Sequence, residues 1–181
     1  MGMVVITGVG PRTGTSYVMF RAMKKGLPVI GYPFLEGWHS PKHNLQGYWE
    51  IDPFDVDGYV SNNLLEGKVV KLWNESIKDI DQKLIDRILV LERRDKKAQY
   101  KSIQKVLDDE RDLKYAGPII SKLNLTPEDV MQRSVTGISK WITERPIKTI
   151  KHVYTEEIDN EINDIIKFLE RGPSWESLLL Q

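Results

Sequence analysis

A chain of 181 residues, 40% hydrophobic and 29% charged, is long enough to bury a core and has the balance of an ordinary globular domain. Lysine and arginine together number 26 and so do aspartate and glutamate, which argues against a general electrostatic surface for nucleic acid or membrane. No cysteine is present, which excludes disulfides, thiolate metal sites and cysteine nucleophiles; of the histidines His39, His43 and His152, only the first two are four apart, and Pro41 interrupts them.

In chain order, Val4-Val5-Ile6-Thr7 predicts a strand buried on both faces, because its β-branched run shows no polar alternation. Gly8 to Gly14 reads as a tight loop, and the residues from Tyr17 to Met23 place apolar side chains at helical spacing. Lys24-Lys25-Gly26 ends that helix, and Pro28 prevents its continuation. A short second strand is expected over 27–30. Residues 31–53, rich in glycine, proline, histidine and aromatics, read as an irregular active-site loop; Phe34, Trp38, Tyr48 and Trp49 argue against disorder there.

A helix is expected over 54–66, stopped by Gly67, followed by a third strand over 68–73. Ile77, Ile80, Leu84, Ile85 and Ile88 suggest a short amphipathic helix over 77–87, and 88–92 a fourth strand. After the turn Arg93-Arg94-Asp95, a helix over 97–107 turns Tyr100, Ile103, Val106 and Leu107 inward. The charged stretch 108–122 reads as broken helix. Thr126-Pro127-Glu128-Asp129 carries the cap, proline and acids of a helix start, with that helix ending near Glu144 before Pro146. A fifth, less buried strand over 147–154 and a last helix over 157–170, with Ile158, Ile162, Ile165, Ile166 and Leu169 on one face, complete the pattern. Strands alternating with helices imply a single three-layer α/β/α domain over 1–181 with a mainly parallel five-stranded sheet. With no basic leader and no apolar run of spanning length, the expected location is cytoplasmic, without a membrane or nucleic-acid partner.

The first loop holds the chemistry. Where a strand feeds a helix through glycines, free backbone N–H groups and the positive end of the helix dipole meet, which suits an anion. Gly10 and Gly14 admit close backbone approach; Thr13, Thr15 and Ser16 add hydroxyls; Arg12 adds a planar, permanently charged fork for phosphate or sulfate oxygens. This is a phosphate-binding loop, but not of Walker A type: Val9 stands where the first glycine belongs and Thr15 where the lysine belongs, the cation having moved to Arg12.

Pro11-Arg12-Thr13-Gly14-Thr15-Ser16 after a strand resembles the loop with which sulfotransferases grip 3′-phosphoadenosine 5′-phosphosulfate (PAPS). Arg94 after the fourth strand, with Ser102 eight residues on, is similar to the family's pair that contacts the 3′-phosphate of PAPS. Gly47-Tyr48-Trp49-Glu50 followed by Asn63-Leu64-Leu65, and Val153-Tyr154-Thr155-Glu156-Glu157-Ile158, resemble further segments of bacterial members, as does Arg171-Gly172-Pro173-Ser174-Trp175. The third strand departs from the family: Lys71-Leu72-Trp73-Asn74 stands where many relatives have a Lys-Asp-Pro-Arg-like sequence, and the chain is short for such an enzyme.

The resemblance implies sulfuryl transfer from PAPS to an unknown hydroxyl or amine acceptor, with no metal. Pro11, Arg12, Thr13, Gly14, Thr15, Ser16, Arg94 and Ser102 would bind the nucleotide, and Arg12 would stabilise the transferring group. Glu36 is the favoured general base, with His39, His43 and Glu50 open; Trp38, Tyr48 and Trp49 either stack on adenine, line the acceptor pocket or pack on the sheet. The alternatives are a nucleotide-dependent kinase, which would need a loop lysine and a magnesium-binding aspartate, and a non-catalytic nucleotide-binding protein of the same fold.

Overall fold

The computed structural model describes residues 2–31, 49, 64–72, 77, 80–107, 126, 128–129, 132 and 150–170. Strands β1 (Met3–Gly8), β2 (Val29–Ile30), β3 (Val69–Lys71), β4 (Ile85–Glu92) and β5 (Ile150–Tyr154) form one sheet in the order β2-β3-β1-β4-β5. Every pairing is parallel. The helices α1 (Thr15–Lys24), α2 (Lys96–Leu107) and α3 (Ile158–Glu170) follow β1, β4 and β5. This is the expected α/β fold with a five-stranded sheet, and the parallel character is complete.

Alternation along the strands sorts the core into two halves. Val4, Ile6, Val69, Leu89 and Leu91 face one side, where Val18, Met19 and Ala22 of α1 and Ile158, Ile162, Ile165, Ile166 and Leu169 of α3 cover them. Met3, Val5, Val70, Ile88 and Val90 face the other side with Leu65, Ile77 and Ile80. Burial on both faces is why β1 reads as an unbroken β-branched run. The apolar stripe of α3 packs as its spacing predicts. α1 and α3 are also tied outside the core: Tyr17 donates to Asp159 at 2.7 Å and accepts from Arg21 at 3.0 Å.

The stop after α1 is a Schellman turn. Gly26 N–H bonds Met23 O at 2.9 Å and Leu27 N–H bonds Ala22 O at 3.1 Å, with Gly26 at φ 81° and Leu27 packed on the core. At the other predicted helix start, Thr126 Oγ1 accepts from Asp129 N–H at 3.2 Å, and Asp129 Oδ2 accepts from Thr126 N–H at 2.9 Å, a reciprocal cap.

The helix expected over 77–87 holds at Ile77 and is corrected over 80–87, with 78–79 outside the described residues. Residues 82–84 form a single 3-10 turn, and β4 already begins at Ile85. The register of β4 on β1 shifts between Met3↔Ile85 and Val4↔Arg87, so a bulge inserts one residue. That bulge lets Ile85 and Ile88 face the same side although they are three apart, which imitates helical spacing. The helices expected over 54–66, 108–122 and 126–144 lie wholly or mainly outside the described residues. Among the described residues, no helix is long and apolar enough to cross a membrane.

Ile165 is fully buried on the sheet-facing side of α3. Ile165→Ala should lower stability by about 2–5 kcal/mol through lost burial and the cavity left behind. Urea unfolding should show the midpoint falling with an unchanged slope.

Candidate functional site

The chain from β1 leads to β2, on one side of β1, whereas the chain from β4 leads through α2 toward β5, on the other side. Adjacent strands whose continuations part in this way leave a crevice beyond their carboxyl ends. The loop 9–14 leaves β1 at that crevice, held at its root by Val9 N–H to Leu91 O at 2.8 Å.

Positive φ recurs at every second position of the loop: Gly10 at 83°, Arg12 at 66° and Gly14 at 87°. Arg12 adopts a conformation that costs an L-residue roughly 1–2 kcal/mol, and such outliers cluster at functional sites. Gly14 is the residue before α1, and it brings no side-chain acceptor to the first-turn amides; no acidic residue stands in that turn. The positive end of α1 is therefore left to another acceptor.

The loop's carbonyls turn to protein donors. Gln99 Nε2, on α2, donates to Val9 O at 3.1 Å and Pro11 O at 2.8 Å. Thr13 Oγ1 reaches Gly10 O at 3.3 Å, Thr155 Oγ1 reaches Thr13 O at 2.9 Å, and Val18 N–H bonds Gly14 O at 3.1 Å. Two buried acceptors, Thr7 Oγ1 and Gln99 Oε1, have no protein partner.

Two cations reach this region from different elements. Arg12 Nε donates to Ser102 Oγ at 2.9 Å, so two expected site residues meet although 90 positions apart. Lys71, 7% exposed at the end of β3, donates from Nζ to Ser16 Oγ at 2.8 Å. Lys71 and Gln99 were not singled out from the sequence. A lysine ending a β-branched strand is a faint signal, and a glutamine three residues before Ser102, hence on the same helical face, is another.

Arg94 is placed differently from Ser102. Its Nη2 pairs with Glu157 Oε1 at 2.7 Å, and its guanidinium lies 3.9 Å over the Tyr154 ring. Glu156 accepts from the N–H groups of Arg94 and Asp95, each at 3.2 Å. Burial works to raise the pKa of Glu156, but its backbone N–H bonds and the charge of Arg93 together hold it below the ordinary carboxylate value. Trp49 is 1% exposed in the core half that holds α1 and α3, so of the roles open to it packing is the one adopted. Glu36, His39, His43, Glu50, Trp38 and Tyr48 lie outside the described residues. Among the described residues, no group of three His, Asp or Glu could hold a metal ion. Searches against protein-family models, curated proteins and solved structures found no match to the chain.

Gln99→Leu leaves the carbonyls of Val9 and Pro11 without their donor and should cost about 1–3 kcal/mol, read by urea unfolding. At the carboxyl end of β4, Glu92 takes Lys96 at 2.8 Å and His152 at 3.0 Å. Burial would raise its pKa, but these two partners outweigh that and lower it from 4.5. A depressed carboxylate contributes stability above its unfolded pKa and loses it as pH falls through the folded one. The stability gap between wild type and Glu92→Gln should therefore be open at neutral pH and close below about 4.5, by urea midpoints across pH.

Proposed function

We propose that the chain is a PAPS-dependent sulfotransferase acting on a hydroxyl or amine acceptor. The observation that carries this reading is loop 9–14, with its carbonyls bonded away, a helix start without a side-chain cap, and Arg12 and Lys71 bringing charge from two elements. Alternating positive and negative φ around Gly10, Pro11, Arg12 and Gly14 suits a backbone cup for anionic oxygens.

In this proposal the 5′-phosphosulfate lies on the loop and the α1 amides, and the acceptor attacks sulfur from the side opposite the phosphate. The new bond to sulfur forms as the bridging S–O bond breaks, its electron pair leaving on the 5′-phosphate. Arg12 and Lys71 offset the charge that builds there. The acceptor's proton passes to a base, for which Glu36 is the proposed residue. Ser102, already bonded to Arg12, and Arg94 would receive the 3′-phosphate, Arg94 exchanging Glu157 for it. Lys71 also keeps a nucleotide-dependent kinase as second reading, since it supplies the ammonium that the loop itself lacks.

A thermal-shift titration separates the two. At a hundredfold excess over its dissociation constant, adenosine 3′,5′-bisphosphate should stabilise the protein by about 2.7 kcal/mol, a rise of roughly 5–10 °C. The shift should vanish in Arg12→Ala and shrink in Arg94→Ala. A shift with magnesium–ADP alone would reject the sulfotransferase reading in favour of the kinase.

A further inference from the structure

We propose that the outer face of α2 docks an acidic, extended peptide segment of a partner protein through Lys97, Lys101 and Lys105. These lysines recur at every fourth residue, so they share one face of the helix, and all three are exposed. Among the described residues, none of them has a carboxylate partner. α2 holds no acidic residue of its own, although acids and bases balance over the whole chain. α3 is arranged differently: its Lys167 pairs with Asp164, and its Glu161 with Lys151 of β5. Like charges four apart weaken a helix, so helix stability does not account for the stripe. The buried side of α2 is separate, formed by Gln99 and Ile103. The surface therefore stands whether or not the loop binds a nucleotide.

Spacing selects the occupant. Residues four apart on a helix stand about 6 Å apart along its axis. An extended chain puts every second side chain on one side, at intervals of roughly 6.4–6.8 Å. Acids at alternate positions of such a chain meet successive lysines, and the small mismatch falls within the reach of a flexible lysine stem. Duplex nucleic acid presents a charge every ~1.7 Å of its axis, far denser than the stripe. A membrane surface calls for large apolar side chains beside the cations, whereas Ala98 and Gln104 flank these lysines on the helix.

Fluorescence anisotropy with a labelled Glu-Thr repeat peptide, whose threonines favour an extended chain, tests this on the full chain. Wild type should bind the peptide, and affinity should fall as ionic strength rises from about 0.01 to 0.15 M. The triple variant Lys97→Gln, Lys101→Gln, Lys105→Gln should bind about tenfold more weakly or worse. A control, Lys24→Gln, Lys25→Gln, Lys83→Gln, removes three exposed lysines elsewhere and should stay within about twofold of wild type. Glutamine keeps the helix propensity of lysine, so the urea midpoint of the α2 variant should match or exceed that of wild type, which separates lost docking from a lost fold. No binding of the peptide by wild type, equal affinity in the α2 variant or an equal loss in the control would overturn the inference. Tighter binding of duplex RNA or of phosphatidylserine vesicles than of the peptide would overturn it too.

Discussion

A carbonyl oxygen packed inside a protein must find a donor, and one aimed at an anion would repel it. Loop 9–14 meets the first demand, and for the proposed anion the second, by bonding the carbonyls of Val9, Gly10, Pro11, Thr13 and Gly14 to Gln99, Thr13, Thr155 and Val18. Each such bond contributes only about 0.5–1.5 kcal/mol net, but a buried group left without one costs more. The loop's shape therefore depends on α2 and on the turn between β5 and α3, both distant in sequence. Gln99 is fully buried for this purpose, in a helix whose mean composition is otherwise polar.

Much of the scaffold was legible from the sequence because its signals are local. The β-branched run of β1, the glycines after it and the isoleucine face of α3 each read correctly from neighbours alone. The stretch 80–87 did not, because a bulge changes which side a residue faces, and a bulge is set by the partner strand. Gln99 was missed since an inward glutamine is justified only by the carbonyls it meets across space. Lys71 was missed for a similar reason: nothing beside it in the chain shows that β3 delivers it to Ser16. Arg12 and Ser102 were singled out separately, and their direct bond could not be read from either segment.

The site's ionic contacts differ in how readily they can change. Arg94 and Glu157 are both substantially exposed, so their pair adds little stability and its partners can be exchanged at small cost. Glu156 grips the backbone at the start of α2 and so keeps that turn in place whether or not Arg94 lets go of Glu157. The Lys71–Ser16 contact is buried and anchored in the sheet, so it cannot be traded as easily. A rigid floor and an adjustable rim are thus built from the same few types of side chain.

The central place of β1 also bears on how the chain reaches its native state. Val4 pairs with Val69 and Val5 with both Val70 and Ile88, so the strand acquires its neighbours only after most of the first half of the chain has been made. Until then an apolar, β-prone segment has no sheet to join, and contacts so distant in sequence form slowly. During synthesis on the ribosome, the segment that leads into loop 9–14 emerges well before the strands it pairs with.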